Sequence, residues 1–345
     1  MAGTATVEFF GATTFRLKAH GITIFHDTWL DKPRMMKRHL ELEDVTAADY
    51  ILISHAHFDH IPGADRLALR TGAIVIANGE AINLLRGAGV PESQLMAVAG
   101  GERVPLFTRE IRKQASAGTC ATLPGPPGSP PRPNPELASF AVHVWPSLHC
   151  LMPGTTPHDI PPLFDTGRVY TGSATPFDCT LDITYNMTWG LMRLHDILPA
   201  DKMDEKMSSF ADFMAARDQN VMSGFDGGQL LFNIVLGGRA VLINSHLGAY
   251  DGIMRQIKPQ PDVAILGIAG RANLNGRPFD GSGAQFAVEQ LKWLGKPRRV
   301  IWALHDESLV PPFSVDTQPA ADLVKRETGA EVVDLPYAEP HVLFS

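Results

Sequence analysis

The chain is poor in cysteine, with only Cys120, Cys150 and Cys179 among its 345 residues. Three widely separated cysteines cannot all pair, so a reducing cytoplasm fits this chain better than a disulfide scaffold does. The start of the sequence has neither a basic segment nor a long apolar one, and we expect no secretion signal. No apolar run approaches the length of a membrane span, which predicts a chain without a transmembrane segment.

Positive charge is also scarce. Thirty Lys and Arg residues stand against 37 Asp and Glu, which gives a formal net charge of -7 and a pI near 6.0. Nucleic-acid binding needs a basic stripe, and none is visible, so we expect a small molecule as the partner. The chain is long enough for a large core, either as one elaborated domain or as a core with an insertion.

Histidine is concentrated in residues 54–60, which read Ser-His-Ala-His-Phe-Asp-His and follow the apolar run Tyr50–Ile53. Imidazoles and carboxylates are ligands that zinc prefers. A turn at the end of a strand brings such side chains together, whereas on a helix they would fan out around the cylinder. A single histidine is as often an ordinary core or surface residue as a functional one, but three histidines and an aspartate this close together predict a metal site. Its candidate ligands are His55, His57, Asp59 and His60.

Short apolar runs separated by turn residues predict strands over 7–10, 14–19, 22–25, 50–53, 73–77, 137–145, 229–235, 239–244, 263–268 and 299–304. Apolar residues at helical spacing predict helices over 64–69, 80–86, 284–294 and 320–328. Two β-rich halves with outer helices predict an α+β fold, an αββα sandwich with metals at one edge between the sheets. The proline-rich residues 123–133 are expected to form an exposed loop that holds neither sheet nor helix.

On this motif the chain resembles the metallo-β-lactamase-fold hydrolases, whose signature is His-x-His-x-Asp-His at the end of a buried strand. Three further segments carry the resemblance: residues 21–30 with an aspartate-containing turn, residues 145–149, and residues 301–306. The first of these resembles the branch with ascorbate-6-phosphate lactonase and N-acylphosphatidylethanolamine-hydrolysing phospholipase D. The resemblance implies one metallo-β-lactamase-fold domain over residues 1–345, a four-layer sandwich with a helical insertion, and one or two zinc ions.

The resemblance also implies the ligands. The first metal is expected to bind His55, His57 and His149, and the second to bind Asp59, His60 and His305. Family members generally carry a bridging aspartate in a Gly-Asp pair, but here Ser245-His246 follows the matching strand. His246 can bind one metal terminally, contact the substrate, or have no role, since imidazole does not ordinarily bridge metals as a carboxylate does.

Cys150 follows His149 directly. On an extended strand the two side chains point to opposite faces, so Cys150 is predicted to be a small buried core residue and not a ligand.

Residues 151–227 are predicted to form an insertion that covers the site or makes a dimer contact. Their many methionines and aromatic residues are more often core than ligand contacts. The segment nevertheless leaves the sheet beside His149 and returns before His246, which places it near the metals. The candidate substrate contacts are Tyr185, Asn186, Trp189, Arg193 and His195.

These residues favour a zinc hydrolase in which a metal-bound hydroxide attacks the carbonyl of a small, partly apolar lactone, ester or amide. Asp59 is expected to orient that hydroxide, and His246 is the second catalytic candidate. A phosphodiesterase or nuclease is the first alternative, disfavoured by the negative charge. An iron redox protein is the second, although the members that reduce oxygen usually carry glutamate at the position of His57. A metal-binding module without catalysis is the third.

Overall fold

The computed structural model describes residues 4–151, 182–306, 308 and 314–344. Its strands, in chain order, are β1 (Thr6–Phe9), β2 (Phe15–Ala19), β3 (Ile22–His26), β4 (Tyr50–Leu52), β5 (Ile74–Ala77), β6 (Leu95–Ala97), β7 (Arg103–Leu106), β8 (Thr122–Leu123), β9 (Arg132–Pro133), β10 (Phe140–Pro146), β11 (Leu230–Leu236), β12 (Arg239–Asn244), β13 (Gly248–Ala249), β14 (Val263–Gly267), β15 (Asn273–Leu274), β16 (Arg277–Pro278), β17 (Arg299–Ala303), β18 (Glu331–Val333) and β19 (His341–Val342). Its helices are α1 (Ala64–Thr71), α2 (Gly79–Gly87), α3 (Arg109–Ser116), α4 (Asp182–Trp189), α5 (Leu194–Ile197), α6 (Glu205–Ala215), α7 (Asp251–Gln256), α8 (Gly283–Trp293) and α9 (Gln318–Thr328). Short 3-10 turns lie at Leu42–Asp44, Glu92–Gln94, Pro135–Leu137, Leu191–Arg193 and Ala200–Lys202.

Two seven-stranded sheets form the centre of the molecule. The first has the strand order β19-β1-β2-β3-β4-β5-β6, and the second has the order β18-β17-β14-β12-β11-β10-β7. In the first sheet β3, β4, β5 and β6 are parallel, with α1 and α2 in their crossovers. In the second sheet β12, β14, β17 and β18 are parallel.

Strands of these parallel segments are apolar at nearly every position because both of their faces are buried. In the first sheet Ile24 and Leu52 point into the core between the sheets, whereas Phe25 and Ile51 point to the outer face. Strand side chains alternate between faces with a period of two, and a sheet covered on both sides therefore reads as a continuous apolar run.

The core between the sheets takes side chains from both of them, such as Tyr50 from β4 and Phe232 from β11. A second core lies between the first sheet and α1, α2 and the helices after residue 182. A third lies between the second sheet and α7, α8 and α9. These layers are the αββα sandwich that the sequence predicts, and the fold class is confirmed.

The proline-rich segment differs from its prediction at both ends. Leu123 pairs with Arg132 and Thr122 pairs with Pro133, so that β8 and β9 form a small two-stranded ribbon. Proline is tolerated there because both strands of a two-stranded ribbon are edge strands, whose outer side needs no amide donor. The expectation that no sheet forms within residues 123–133 is therefore wrong at the two ends of the segment.

The part of the insertion that the structure describes packs as core. Met187, Phe210 and Met214 are buried against the outer face of the first sheet, as methionines and aromatic residues at helical spacing predict. Residues 152–181 of the predicted insertion lie outside the described residues. The division into one domain with a lid stays a prediction. Within the described ranges, every helix is too short or too polar to cross a bilayer.

Candidate metal centre

Strand ends at one edge of the two sheets bring five histidines together. His55, His57 and His60 lie in the turn after β4, His149 follows β10, and His246 follows β12. β10 and β12 run in the same direction because each pairs antiparallel with β11. Strands that run in one direction end at the same edge of a sheet, which is why residues this far apart in the sequence meet here.

The backbone of the turn over residues 55–60 is held by the end of the insertion. Ala56 N donates to Asp226 O over 3.1 Å, and Ser223 N donates to Ala56 O over 2.8 Å. A buried turn beyond a sheet needs such partners for its backbone groups. The segment that returns from the insertion therefore fixes the turn that carries three of the histidines.

The imidazole rings form a single cluster. The ring centroids of His149 and His246 are 3.7 Å apart, those of His55 and His60 are 3.9 Å apart, and those of His55 and His57 are 4.6 Å apart. One group of ligand atoms comes from His55, His57 and His149, and a second comes from His55, His60 and His246. Within each group the atoms lie within 4.8 Å of one another, so each group could hold an ion.

Several nitrogens of this cluster are buried and make no hydrogen bond to the part of the chain that the structure describes. They are Nε2 of His55, Nε2 of His57, Nε2 of His60 and both ring nitrogens of His246. Leaving a buried polar group unpaired costs about 1–3 kcal/mol. Imidazole nitrogen is a ligand that zinc prefers, and an ion bound here would satisfy these nitrogens together. The donor set therefore fits a metal of the zinc type.

The electrostatics of the cluster favour neutral rings at His55, His57 and His246. Burial lowers the pKa of His55, His57 and His246 well below the ordinary histidine value, and neighbouring imidazoles lower it further. A neutral imidazole keeps a lone pair for a metal ion.

Asp27, at the end of β3, holds His60 in place. Its Oδ2 lies 2.8 Å from His60 Nδ1 and accepts a hydrogen bond from Ser54 Oγ over 2.9 Å, while its Oδ1 accepts one from Ser54 N over 2.8 Å. Thr13 Oγ1 lies 3.0 Å from the same nitrogen of His60. A carboxylate that accepts the Nδ1 proton leaves Nε2 as the ligand atom, which is how outer partners orient metal-binding histidines.

Charge on Asp27 also affects the titration of this pair. Burial alone lowers the pKa of His60, but the carboxylates of Asp59 and Asp27 outweigh burial and raise that pKa to about 9. Burial raises the pKa of Asp27, but the electrostatic attraction of His26 and His60 brings it below its usual value.

Sequence reasoning gave no role to Asp27, Ser54 or Thr13. Only Asp27 could have been found from the sequence. It follows β3 just as His55 follows β4, and these two parallel strands end at the same edge of the sheet. The contact of Thr13 depends on a turn between β1 and β2 that no metal motif marks.

His149 is anchored from both sides. Its Nδ1 lies 2.8 Å from Cys150 O, which can only accept, so Nδ1 carries the proton. Its Nε2 lies 3.2 Å from His57 Nδ1, and its carbonyl accepts a hydrogen bond from Asn273 Nδ2 over 2.8 Å. The tautomer therefore presents Nε2 towards the rest of the cluster.

His246 stands within the cluster at the position where the resemblance implies a bridging aspartate. Its side chain is 2% exposed, and its ring centroid is 4.9 Å from both His55 and His60. No carboxylate replaces it in the ligand groups found among the described residues. The role of His246 stays a prediction.

Asp59 lies next to the histidine cluster, whereas His305 packs against Phe9. Asp59 Oδ2 lies 3.4 Å from His60 Nε2, at the margin of the cluster. The ring of His305 stacks on Phe9 at a centroid distance of 5.6 Å, and its pKa responds to burial and then to Asp306 rather than to the clustered histidines. His305 belongs to none of the ligand groups in the described ranges. Its assignment to a second metal stays a prediction that this geometry does not support.

The candidate substrate contacts lie on the insertion. Tyr185 and Trp189 are 67% and 57% exposed on α4. Arg193 lies over the ring of Trp189 and pairs with Asp196. The remaining candidates are Asn186, also on α4, and His195, which pairs with Asp212 over 3.0 Å. These contacts are made within the insertion itself, so the predicted role in substrate binding stays a prediction.

Known proteins resemble this chain in both sequence and fold. A family model described as the metallo-beta-lactamase superfamily matches residues 28–203, just over half of the chain. A UPF0173 metal-dependent hydrolase from Myxococcus xanthus is 41% identical over 101 residues, which are 29% of this chain and 34% of that protein. Another from Rubrobacter xylanophilus is 36% identical over 106 residues, 30% of this chain and 43% of that protein. The chain thus spans less than half the length of these curated relatives.

Solved structures share the overall architecture. Igni18, described as a novel metallo hydrolase from the hyperthermophilic archaeon Ignicoccus hospitalis, has a TM-score of 0.55 and 17% identity, with 98% of each chain covered. CmlA, a diiron β-hydroxylase from Streptomyces venezuelae, has a TM-score of 0.50 and 14% identity, with 99% of this chain and 54% of CmlA covered. At these identities the likeness shows the fold alone.

Proposed function

The chain belongs to the metallo-β-lactamase superfamily, and from that premise we propose that it is a zinc hydrolase that cleaves a lactone, ester or amide. The observation that carries the proposal is the cluster of five buried histidines, several of whose nitrogens have no hydrogen-bond partner among the described residues. Such a donor set fits zinc, which takes imidazole nitrogen in tetrahedral sites.

The ligand sets follow the groups of neighbouring atoms. His55, His57 and His149 hold the first ion, and His60 and His246 hold the second with Asp59 beside them. His246 is then a terminal ligand in place of a bridging carboxylate. Zinc in such a site supplies a nucleophile at neutral pH and polarises a carbonyl oxygen.

Asp59 is the residue that handles protons. Burial raises its pKa, but the neighbouring His60 outweighs this effect and keeps the pKa below the ordinary value, so the carboxylate is ionised at neutral pH. Its side chain is 18% exposed, which leaves it open to a substrate at the edge of the cluster. An ionised carboxylate at that place accepts a proton from an attacking water and returns it to the leaving group.

The substrate class is inferred from charge and from the insertion. The formal net charge of -7 disfavours polyanionic substrates such as nucleic acid. The exposed rings of Tyr185 and Trp189, with Phe225 at 56% exposure, offer apolar area to a small, partly apolar molecule. An ester-like carbonyl fits these surroundings better than a phosphodiester.

The test is a panel of lactones, esters, amides and phosphodiesters assayed with protein as purified, after metal removal, and after zinc is restored. We expect carbonyl substrates to be hydrolysed, activity to disappear with the metal and return with zinc, and His57→Ala to be inactive. His143→Ala is the control, because His143 lies on β10 but contacts Lys258 O at 3.1 Å, away from the cluster. Hydrolysis of phosphodiesters alone, or activity that needs iron, contradicts the proposal.

The role of the insertion is tested separately with Trp189→Ala. If Trp189 contacts substrate, KM rises or the ranking of substrates changes while metal content is unchanged, as expected when only substrate binding is lost. Loss of metal in this variant, or unchanged kinetics on every substrate, speaks against the contact.

A further inference from the structure

A third group of ligand atoms contains sulfur. Cys150 Sγ, one ring nitrogen of His149 and one of His246 lie within 4.8 Å of one another. Two of its members also belong to the proposed ligand sets, His149 to the first and His246 to the second. A thiolate there stands beside a ligand of each ion.

The side chain of Cys150 is directed by the local backbone. β10 ends at Pro146, so residues 147–150 lie outside the strand. Cys150 Sγ lies close to the His149 ring, so the expectation that the two side chains point to opposite faces is wrong. Sγ lies 3.6 Å from His149 Nδ1. The side chain does pack partly against the core of the second sheet, as predicted, but its sulfur faces the imidazole of its neighbour.

Two further features fix this position. The main chain of Leu151 exchanges hydrogen bonds with that of Arg271, at 2.8 and 3.2 Å. At Gly270, where φ is +93°, a Cβ atom would lie 2.6 Å from Cys150 Sγ. Glycine at this position therefore leaves the space that the sulfur occupies, and the backbone pairing holds the cysteine beside the histidines.

His246 gives independent evidence for a ligand at this place. Its ring is 2% exposed, and neither of its nitrogens has a hydrogen-bond partner among the described residues. One imidazole with two unpaired nitrogens lies within reach of both His60 and Cys150. Buried polar groups are normally satisfied, so an ion bound here accounts for the ring.

We propose that Cys150, as a thiolate, is the anionic ligand of this metal centre beside His149 and His246, in place of the bridging carboxylate that the chain lacks. The inference rests on the proposed metal centre. Histidines contribute no negative charge, and His246 replaces an acidic residue with a neutral one. A thiolate restores that charge, and sulfur and imidazole together are a common donor set for zinc.

The test uses the full-length protein loaded with cobalt(II), whose absorption spectrum reports its ligands. The parent is expected to show a thiolate-to-cobalt charge-transfer band in the near ultraviolet as well as visible ligand-field bands. Cys150→Ser and Cys150→Ala should lose the first and keep the second. Cys120→Ser is the matched control, because Cys120 lies in the segment after α3, with its sulfur near Ile111 O, and it should keep both bands. Cys179→Ser is included because Cys179 lies outside the described residues.

Visible bands without a charge-transfer band in the parent overturn the inference about Cys150 and leave the proposed metal centre intact. Loss of the charge-transfer band only in Cys179→Ser or Cys120→Ser also overturns it. Absence of every cobalt band in the parent overturns the metal centre itself. A measurement on the parent protein completes the test. Bound cobalt should protect Cys150 from a thiol-alkylating reagent, and peptide mass spectrometry maps the labelled cysteines. Equal labelling of Cys150 with and without cobalt contradicts the proposal.

Discussion

Two histidines of the cluster share one pattern, in which Nδ1 has an oxygen partner and Nε2 makes no hydrogen bond within the described residues. His55 Nδ1 lies 3.1 Å from Ser54 Oγ, and His60 Nδ1 lies 2.8 Å from Asp27 Oδ2. Partners on the far nitrogen set the tautomer and the direction of each ring. The same edge of each ring is thereby left for an ion.

Replacing Asp27 with asparagine tests this orientation at one ring. The amide retains the shape of the side chain but removes its charge, and its NH2 group cannot accept the Nδ1 proton of His60. We expect zinc affinity at the second site to fall roughly 10- to 100-fold, the usual effect of losing such a partner. Isothermal titration of metal-free protein with zinc measures the change.

Asp49→Asn is the matched control for that variant. Asp49 is also buried and also accepts a backbone hydrogen bond, from Thr23 N at 2.9 Å, but it lies at the other end of β3 and pairs with Arg112. This substitution should lower the melting temperature and leave zinc affinity unchanged. Equal zinc affinity in Asp27→Asn and the parent contradicts the role given to Asp27.

His246→Ala decides between the roles of that residue. As a terminal ligand, His246 accounts for part of the second site, so its removal should lower the second zinc equivalent and leave the first unchanged, as measured by metal titration. Full metal content with a lower kcat/KM indicates a substrate contact instead. Unchanged metal content together with unchanged kinetics excludes both roles.

At the scale of secondary structure, each strand and helix predicted from an apolar run lies within a few residues of an observed one. No bounds were predicted for the remaining strands, which are β6 to β9, β13, β15, β16, β18 and β19, or for helices α3 to α7. The run over 239–244 matches β12 at both ends, because Gly237 and Gly238 take positive φ in the tight turn before it. Strand 137–145 begins later than predicted, at Phe140, because Asn134 caps a 3-10 turn at Pro135–Leu137. Local side-chain capping competes with the strand there, and periodicity does not detect it.

The metal centre could be predicted only in part. The motif at residues 55–60 is local, and the sequence shows it directly. Contacts such as Asp27 with His60 and Cys150 with His246 depend on which strands end at the same edge, and the sheet order that decides this is not visible in a single sequence. The assignment of His305 to a second metal rests on the motif match alone and stays a prediction.

The backbone of β13 packs closely against the loop that carries His149, and this contact can be tested. A Cβ atom at Gly248, in β13, would collide with Leu148 O and lie 3.0 Å from His149 O. Gly248→Ala should therefore displace the loop that carries His149, lowering stability by about 1–3 kcal/mol, as overpacking does, and reducing zinc content. Thermal unfolding and metal analysis measure both effects.

Gly252→Ala is the control, because a Cβ atom at Gly252, in α7, meets nothing within 4 Å. Alanine favours a helix over glycine, so this variant should be at least as stable as the parent and should bind zinc equally. If both alanine variants behave like the parent, the contact between β13 and the loop at His149 does not position the ligand.

At the scale of the whole molecule, three cores stabilise an architecture whose two sheets meet at the histidine cluster. The first sheet contributes Asp27 and the turn over 55–60, and the second contributes His149 and His246. For each proposed ion, the ligands come from both sheets. An ion bound here therefore links the two halves of the sandwich. Bound zinc should therefore raise the melting temperature, since a ligand that binds only the folded state stabilises it.

The most direct test of the metal centre is the metal content of full-length protein purified without chelators, measured by inductively coupled plasma mass spectrometry. We expect one or two zinc ions per chain in the parent and in His143→Ala, and a clear loss of zinc in His57→Ala, because removal of an inner ligand weakens metal binding strongly. A parent that carries no zinc, or iron as its only metal, contradicts the assignment, as does His57→Ala protein with the zinc content of the parent.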